Sequence, residues 1–417
     1  MHILKLTREV EKRLLRAREG RDRAAEGVAA RIVNDVRRAG DRALLRWTKK
    51  LDGVDLQQRG VWISEQEMRA AEKQVSEDFL NAVRHAARNI RRVAEKQMPQ
   101  EWTLEVEPGV RIRQIVRPIE AIGCYVPGGR FALASTLLMT VVPAQVAGVE
   151  RIVAVCPKPN PELLAAACLL GIRKIARIGG AQAIAALAYG TRSVPRVEKI
   201  FGPGNRFVTA AKQIVAHDCA IDLPAGPTEA IVLAERGNAR WIAADLLAQA
   251  EHAPDAGSFL VTTSRILARQ VAQEIELQLR ELPAQNPAQL SARKRGAILV
   301  AASRAAACEF VNRFAPEHLS LPEDFRPLLK KIRASGSVFA GPWAAQPLGD
   351  YVSGSNHVLP TGGWARRRGG LSAADFVKCI TVQHVDRRGF LRIARAAESF
   401  AAAENLTAHR NAVAVRR

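Results

Sequence analysis

The predicted fold class depends on residues 151–189, RIVAVCPKPNPELLAAACLLGIRKIARIGGAQAIAALAY. Two types of sequence segment alternate within this stretch. Short β-branched runs at 152–156 and 174–178 are each followed by an alanine- and leucine-rich run, at 161–170 and 181–189. Short β-branched runs bounded by Gly or Pro are typical of strands, and longer alanine-rich runs are typical of helices. This alternation predicts parallel α/β units.

The same alternation continues on both sides of this stretch. Further strands are predicted at 112–116, 229–234, 258–262, 297–301 and 337–340, and further helices at 134–147, 205–216, 239–250 and 302–313. Residues 1–50 and 64–98 are predicted to be helical, and the chain becomes helical again from about 380 to 417. The length of 417 residues suits two or three domains, so we predict two parallel sheets and a small C-terminal element.

The net charge of +21 raises the possibility of a nucleic-acid-binding protein. Fifteen of the 21 excess positive charges lie in residues 1–50 and 366–417, and residues 120–260 carry only +2. In the first segment the cations alternate with acids, and its apolar positions have helical spacing: Leu4, Val10, Leu14 and Leu15. This pattern favours a solvated helix face, since a nucleic-acid groove would interleave aromatic side chains with the cations. A basic nucleic-acid-binding protein nevertheless stays open as an alternative.

Composition narrows the remaining classes. No apolar run approaches the ~18–20 residues that a membrane span needs, and the first residues lack the apolar region of a secretory signal. The six cysteines are scattered and form no C-x-x-C pair. We therefore expect a cytoplasmic protein with reduced, mostly buried thiols, and neither a disulfide framework nor a thiolate zinc site.

Glycines cluster where predicted strands meet predicted helices, at 127–129, 179–180 and 202–205. Such turns can present backbone N–H groups to an anion at a helix start. However, the chain contains neither a G-x-G-x-x-G after a strand nor a G-x-x-x-x-G-K-[ST] loop. Ordinary tight turns explain these glycines equally well, so the motifs alone do not predict a nucleotide site.

Histidines in polar surroundings suggest a metal site. Gln249 and His252 are three residues apart in a predicted helix, which would place both on one face, and Asp350 and His409 could complete a mixed nitrogen and oxygen set. Two imidazoles with hard oxygen ligands suit a divalent ion such as zinc. Spacing does not show that these positions meet, so unrelated surface or core histidines stay the alternative.

A second constellation is Ala315-Pro316-Glu317-His318. Proline favours the first helical position, so Glu317 and His318 are predicted to begin a helix. There the helix dipole would favour an ionised Glu and a neutral His, the states that two general bases need. Adjacency by chance is equally compatible with this short motif.

Several runs taken together carry a family resemblance. They are CYVPGG (124–129), STLLMTVVPAQVAGV (135–149), GGAQAIAALAYGT (179–191), KIFGPGN (199–205), AGPTE (225–229), ADLLAQAEH (244–252), APEHL (315–319), GDYVSGSNHVLPTGGWAR (349–366) and ENLTAH (404–409). In this order they resemble the histidinol dehydrogenase family over most of the chain. The resemblance implies a zinc-containing, NAD-dependent homodimer that oxidises L-histidinol through L-histidinaldehyde to L-histidine, in the last two steps of histidine biosynthesis.

The resemblance also implies a domain organisation. The family's fold has two large α/β domains with incomplete Rossmann-like parallel sheets and small helical pieces at the N- and C-termini, which explains the missing glycine fingerprint. Carried onto this chain, the segments are 1–20 (N-terminal helical segment), 21–123 with 229–371 (substrate and zinc side), 124–228 (NAD-binding) and 372–417 (C-terminal, reaching the partner subunit).

Roles follow from the resemblance position by position. The implied zinc ligands, one ion per subunit, are Gln249, His252, Asp350 and His409, and the implied acid–base pair is Glu317 and His318. The implied NAD contacts are Tyr125, Gln182 and Asn205. The implied substrate contacts are Thr228, Gln249, His252, His318, Asp350, His357, Glu404 and His409. Since the C-terminal piece reaches the partner's site, Glu404 and His409 would serve the other subunit. No membrane and no specific nucleic acid is expected as a partner.

Three departures from the family pattern stand out. Thr228 keeps a hydroxyl where members often carry Ser, Phe207 replaces a Tyr, and Gln346 stands where many carry Glu. The last change removes a negative charge near a cationic substrate and is the one expected to alter affinity or specificity. A sister dehydrogenase acting on another small alcohol is the second alternative, which the retained substrate-side residues disfavour.

Overall fold

The computed structural model describes residues 1–18, 22–128, 133–223, 226–322 and 324–417. Two residues of the predicted motifs, Gly129 and Ala225, lie outside the described residues. The strands are β1 (His2–Lys5), β2 (Trp102–Glu107), β3 (Val110–Pro118), β4 (Ala121–Tyr125), β5 (Arg151–Val155), β6 (Ile175–Ala176), β7 (Lys199–Phe201), β8 (Ala220–Ile221), β9 (Glu229–Leu233), β10 (Gly257–Thr262), β11 (Ala297–Val300), β12 (His318–Leu321), β13 (Ser337–Ala340) and β14 (Val377–Val385).

Helices surround these strands. They are α1 (Arg8–Arg16), α2 (Arg23–Ala39), α3 (Asp41–Asp52), α4 (Leu56–Arg59), α5 (Glu65–Glu72), α6 (Glu77–Gln97), α7 (Ala134–Val146), α8 (Pro161–Leu169), α9 (Gly180–Tyr189), α10 (Arg206–Val215), α11 (Ala239–Ala250), α12 (Arg265–Glu281), α13 (Ala288–Lys294), α14 (Arg304–Phe314), α15 (Gln346–Tyr351), α16 (Arg387–Ala403) and α17 (Thr407–Ala414). Short 3₁₀ helices occupy Arg326–Lys331, Trp364–Arg366 and Ala373–Phe376. No helix of the described residues is long and apolar enough to cross a lipid bilayer.

A six-stranded sheet with the order β1-β11-β10-β9-β12-β13 forms one half of the core. Every neighbouring pair is parallel. Strand β9 has the sequence EAIVL and is buried along its whole length, which is typical of a parallel strand covered on both faces. Helices α11 and α12 cover one face of the sheet, and α14 covers the other.

A five-stranded sheet with the order β6-β5-β4-β7-β8 forms the other half, and it is also entirely parallel. The chain runs from β4 to β5 and β6 on one side and then returns to β7 and β8 on the other. The strand order therefore reverses between β4 and β7, and this is where open α/β sheets bind ligands at their carboxyl ends. Helices α2 and α9 pack on one face of this sheet, and α6 and α7 pack on the other.

A three-stranded antiparallel sheet, β14-β3-β2, joins the C-terminal part of the chain to residues 102–118. Apolar side chains on it are exposed to solvent: Trp102, Leu104, Val106, Ile380, Val382 and Val385. The register places Trp102 and Leu104 on one face of this sheet and Ile380 and Val382 on the other.

The predicted mixed α/β class with parallel sheets is confirmed, and several details are corrected. Residues 2–5 form an edge strand paired with β11, and residues 377–385 form β14, so neither terminal piece is purely helical. The predicted strand 112–116 lies inside β3, which is antiparallel. Strands β1 and β14 are not part of an alternating series of strands and helices. The alternation that predicted the parallel units therefore does not predict them. The domain boundaries stay a prediction.

The thiols agree with the sequence analysis. All six cysteines are free, and four are buried: Cys124, Cys156, Cys219 and Cys308. Burial raises the pKa of the Cys124, Cys156 and Cys219 thiols to about 12, so they stay protonated at neutral pH. The predicted apolar stripe of the N-terminal segment, Leu4, Val10, Leu14 and Leu15, is half-buried against the core of the six-stranded sheet, but Leu4 lies in strand β1 and not in a helix.

Candidate active site

A cluster of buried polar residues lies at the amino ends of β9 and β12. Thr228 precedes β9, and Glu317 precedes β12, whose first residue is His318. Because β9 and β12 are parallel neighbours, with His318 opposite Ala230, these three side chains start from one edge of the sheet. Glu317 and His318 are 7% and 3% exposed, which shields their chemistry from bulk water.

The prediction that Glu317 and His318 begin a helix is wrong. Ala315 adopts a left-handed conformation with φ of +51° after α14, and the chain then enters β12 directly. No helix begins at the pair, so the argument from a helix N-terminus for an ionised Glu and a neutral His does not apply. Pro316 lies in the turn between α14 and β12. The strand was not predictable from the motif alone, because its partner β9 is distant in sequence.

The electrostatics of the pair come from burial and from the neighbouring charges. Burial raises the pKa of Glu317, and the adjacent His318 offsets only part of that effect. Burial alone would lower the pKa of His318, but the Glu317 and Asp350 carboxylates outweigh it, so the pKa is raised. Nδ1 of His318 lies 3.8 Å from Glu317 Oε2, and Nε2 lies 3.6 Å from Asp350 Oδ1. Neither ring nitrogen has a hydrogen-bond partner among the described residues.

Glu317 is fixed by a chain of hydrogen bonds. Its Oε2 accepts the Thr228 hydroxyl and, at 3.0 Å, the backbone N–H of Glu229. The Thr228 oxygen accepts Nε2 of Gln249 at 2.6 Å, and Oε1 of Gln249 accepts Nε2 of Gln346 at 2.5 Å. The hydroxyl proton must point at Glu317, because the Thr228 oxygen receives the Gln249 amide. The carboxylate is thus held as a hydrogen-bond acceptor.

Three of the four predicted metal ligands come together near this cluster. Gln249 lies in the last turn of α11 and is fully buried, and Asp350 lies in α15 at 8% exposure. His252 is near enough to affect the pKa values of Asp350 and Glu317. It lies beyond the end of α11, in a turn, so the predicted shared helix face with Gln249 is wrong.

The orientations of the two histidines are set by backbone carbonyls. Nδ1 of His252 contacts the carbonyl of Ala248 at 3.0 Å, and Nδ1 of His357 contacts the carbonyl of Asp350 at 2.9 Å. A histidine that donates one ring N–H to a carbonyl presents the other nitrogen as a ligand or acceptor, and in His357 that nitrogen lies 3.4 Å from the Thr136 hydroxyl. Burial lowers the pKa of His357, which favours the neutral ring.

Glu404 and His409 are not brought to this cluster within one chain. Glu404 follows α16 and His409 lies in α17, and both side chains are exposed. Accordingly, no group of three or more His, Cys, Asp or Glu side chains in the described ranges is arranged to hold a metal ion.

The predicted NAD contacts lie at the carboxyl edge of the five-stranded sheet. The Tyr125 hydroxyl, at the end of β4, accepts the N–H of Gly180 at 3.1 Å. Nε2 of Gln182 donates to Asp52 at 2.9 Å, and its Oε1 is buried with no partner in the described part of the chain. Asn205 caps α10 by accepting two backbone N–H groups, at 3.0 and 3.1 Å. These three residues surround the point where the strand order reverses.

The turn between β7 and α10 depends on glycine. Gly202 has φ of +111°, and a Cβ there would lie 2.1 Å from the carbonyl oxygen of Tyr125. A buried ion pair between Lys212 and Asp222 holds the turn from the other side: Lys212 Nζ donates to the Gly202 carbonyl at 3.0 Å, and the Gly202 N–H donates to Asp222 at 2.8 Å.

Sequence reasoning missed Arg18, Glu229, Lys212 and Asp222. Arg18 pairs with Glu229, 211 residues away in the chain, whereas Lys212 and Asp222 pair with each other across ten residues. Glu229 belongs to the quoted AGPTE run, which was the only signal for it.

Comparisons with known proteins identify the family of this chain. The family model described as "Histidinol dehydrogenase" matches residues 15–417. The chain is 45% identical to histidinol dehydrogenase of Aquifex aeolicus over 388 residues, 93% of this chain and 91% of that one. The chain belongs to the histidinol dehydrogenase family. The Escherichia coli K12 member is 42% identical over 391 residues, covering 92% and 89% of the two chains.

A solved structure of the same family supports the fold. The crystal structure of histidinol dehydrogenase from Elizabethkingia anophelis superposes with a TM-score of 0.93 at 38% identity, over 100% of this chain and 98% of that one. Both the family and the α/β fold predicted for this chain are therefore confirmed.

Proposed function

We propose that this chain oxidises L-histidinol to L-histidinaldehyde and then to L-histidine, with two NAD reduced at one site. The observation that carries the proposal is the buried Glu317–His318 pair, in which both imidazole nitrogens lack a partner among the described residues. An unpartnered buried imidazole is costly unless a ligand supplies its hydrogen bond. Membership of the histidinol dehydrogenase family supports histidinol as that ligand.

His318 is proposed as the base in both oxidations. It takes the hydroxyl proton of the alcohol while a hydride leaves the adjacent carbon, which forms the aldehyde. The Asp350 carboxylate at 3.6 Å and Glu317 at 3.8 Å stabilise the imidazolium that results. Because both contacts are longer than hydrogen bonds, the ring nitrogens stay available to the substrate.

Glu317 is proposed to activate water between the two oxidations. Its carboxylate accepts a water proton while the water oxygen adds to the aldehyde carbon, and the carbonyl oxygen takes up the proton that His318 holds from the first oxidation, which gives a gem-diol. The gem-diol then loses a proton to His318 and a second hydride, which gives the carboxylic acid, and loss of a further proton to solvent gives the carboxylate of histidine. The Thr228 hydroxyl and the Glu229 N–H hold the carboxylate in one orientation for this step.

We propose zinc as the metal, with Gln249, His252, Asp350 and His409 as ligands. Gln249 Oε1 keeps a second lone pair besides its bond from Gln346, and His252 contacts a carbonyl through Nδ1, so an amide oxygen, an imidazole and a carboxylate fit the ion. When bound, the ion would orient the amine and imidazole of histidinol. Thr228, His357 and Glu404 are the further proposed substrate contacts.

NAD is proposed to bind at the carboxyl edge of the five-stranded sheet, in a domain of residues 124–228 with Tyr125, Gln182 and Asn205 as contacts. The reversal of strand order beside β4 supports this placement. The positive end of the α10 dipole lies beside Gly202 and suits an anionic cofactor, although Asn205 already accepts two of the N–H groups of its first turn. These features replace the absent glycine fingerprint.

We propose a cytoplasmic homodimer with shared active sites. The exposed apolar side chains of the three-stranded sheet support a second copy as the partner. Glu404 and His409 are exposed in the single chain, and a partner's site would account for both. Each site is then incomplete until the two subunits associate.

One assay tests the proposal: the number of NADH formed per L-histidinol, before and after treatment with a strong zinc chelator. We expect two NADH per substrate, loss of turnover on chelation and recovery with added zinc. One NADH per substrate, or turnover of another small alcohol in preference to histidinol, would favour a sister dehydrogenase. No turnover together with salt-sensitive DNA binding would overturn the proposal.

A further inference from the structure

The basic N-terminal segment delivers one arginine into the core beside Glu317. Strand β1 adds an edge strand to the six-stranded sheet, and α1 packs its apolar side chains against the same sheet. Arg18 follows α1, and its side chain is only 13% exposed. The arginines within α1 are more exposed, and Arg16 is an example.

The Arg18 guanidinium binds two separate segments at once. Its Nε donates to Glu229 Oε2 at 2.5 Å, and a second nitrogen donates to the other carboxylate oxygen of Glu229. The third nitrogen donates to the backbone carbonyl of Phe314, and the guanidinium carbon lies 3.6 Å from the centre of the Phe314 ring. All three nitrogens are therefore used, which a lysine side chain could not reproduce.

The segments that contain Glu229 and Phe314 are both directly connected to Glu317, the first by a hydrogen bond and the second along the chain. The backbone N–H of Glu229 donates to Glu317 Oε2 at 3.0 Å, next to the hydroxyl of Thr228. Phe314 ends α14 three residues before Glu317, and the strained Ala315 links the two. One guanidinium thus joins the peptide that carries Glu317 to the peptide that supplies its hydrogen-bond donors.

Glu229 needs this cation. Its side chain is 6% exposed, and besides Arg18 it accepts the N–H of Gly362 at 2.8 Å. Burial raises the pKa of Glu229, Arg18 lowers it, and the nearby Glu317 raises it again. Two buried carboxylates close together repel one another, so an unpaired Glu229 would move or take up a proton.

We propose that Arg18 is a positioning residue for Glu317. It touches neither substrate nor cofactor and acts by holding Glu229 and Phe314 in register, so that Thr228 and Glu229 face the Glu317 carboxylate. The inference rests on the proposed role of Glu317 in the second oxidation. This role would also explain the presence of one of the positively charged residues of the N-terminal segment, Arg18.

The kinetic test compares Arg18→Met with Arg16→Met, a matched change on the exposed side of the same segment. We expect Arg18→Met to slow oxidation of added L-histidinaldehyde by about 100-fold, as a misplaced catalytic group does, and Arg16→Met to leave it unchanged. The first NADH formed from histidinol and both KM values should stay within about threefold of wild type. Arg18→Lys keeps the positive charge but not the planar guanidinium with its three donor nitrogens, so it should recover only part of the rate.

The double variant Arg18→Met/Glu229→Gln separates positioning from stability. It removes the unpaired charge, so thermal stability should return while aldehyde oxidation stays slow. If both half-reactions fall equally in Arg18→Met and recover together with stability in the double variant, the role is structural only and the inference is wrong. The inference is also wrong if Arg18→Met behaves like Arg16→Met.

Crystal structures supply a readout that does not depend on turnover. We expect the Glu317 carboxylate to move by about 1 Å or more in Arg18→Met and to stay in place in Arg16→Met. An unmoved carboxylate would overturn the inference even if histidinol is the substrate. A wild-type chain that forms no NADH from histidinol would instead contradict the proposed function, and the structures would still decide whether Arg18 positions Glu317.

Discussion

Nε2 of His318 lies 3.6 Å from Oδ1 of Asp350, so the two groups attract one another without a hydrogen bond. The contact helps to raise the pKa of His318 and, against the effect of burial, to lower the pKa of Asp350. With Glu317 on the other side, the ring lies between two carboxylates and keeps both nitrogens without a partner in the described residues. This arrangement suits a base that must bind a substrate proton and release it again.

Substitution of the acid–base pair should separate the two oxidations. His318→Asn is expected to slow both half-reactions, because each loses a proton to the same base. Glu317→Gln is expected to slow mainly the oxidation of the aldehyde, because only that half needs activated water. Stopped-flow measurement of the first NADH from histidinol, beside steady-state oxidation of histidinaldehyde, checks both. Equal losses in the two half-reactions for Glu317→Gln would contradict this division of labour.

Removing the Thr228 hydroxyl should reduce activity without unfolding the chain. Thr228→Val leaves Glu317 without one donor and Gln249 without its acceptor. Hydrogen bonds to charged groups contribute about 1.5–3 kcal/mol, which corresponds to about a 10- to 100-fold loss of kcat if the bond persists in the transition state. Thr228→Ser keeps the hydroxyl and serves as the control. A Thr228→Val variant with wild-type kcat would show that the hydroxyl does not orient Glu317.

Mixed dimers test whether the C-terminal residues serve the partner. His318→Asn and His409→Asn subunits should each be inactive alone. If sites are shared, a dimer with one subunit of each kind has one intact site, so random reassociation restores about a quarter of wild-type activity. The measurement is NADH formation after unfolding and refolding an equimolar mixture. Absence of any recovery, with dimers shown to form, would indicate that each chain uses its own His409.

The buried pair Lys212–Asp222 should stabilise the turn at Gly202. Lys212 and Asp222 side chains are 4% and 1% exposed, so Lys212→Met leaves an uncompensated carboxylate and is expected to cost about 3–5 kcal/mol of unfolding free energy. Lys212→Met/Asp222→Asn removes both charges and should recover much of this loss. Urea unfolding of the three proteins checks the expectation. Equal destabilisation in the single and double variants would exclude the unpaired charge as its cause.

Asp245 should make stability depend on pH. Burial raises its pKa from 3.8 to about 6, so between these values the folded chain binds more protons than the unfolded chain. Stability should therefore fall as pH rises from about 4 to about 6, by about 2–3 kcal/mol from this group. Asp245→Asn removes this contribution and should raise Tm at pH 7 but not at pH 4. The exposed Asp255→Asn is the control, and an equal rise in both variants would contradict the assignment.

The parallel strands β5, β6, β9, β10, β11 and β13 were predictable because local pattern decides them, whereas β4, β7 and β8 were not predicted. Residues 337–340 were predicted to form a strand and do so, and helix 239–250 was also located correctly. Strand β12 was missed because APEHL looks like a helix start when its neighbour β9 is ignored. The edge strand at 2–5 was missed because charged residues surround it and its partner β11 is almost 300 residues away.

For the candidate site, the sequence predicted which residues take part, and the structure was needed for their contacts. The family resemblance identified Glu317 and His318 by residue type and order, and it proposed Gln249, His252 and Asp350 as neighbours. Their hydrogen bonds, burial and pKa directions follow only from the folded chain, because long-range packing determines which charges share a low-dielectric environment.

The sequence by itself determined the family, the parallel α/β class and the residue types available for chemistry, since periodicity and residue order are local properties. Only the tertiary structure decided that Thr228 and Glu229 donate to Glu317 and that Arg18 joins their segment to Phe314. The physical reason is that a buried polar group must find its partner in space, and two segments almost 300 residues apart meet only when the sheet assembles.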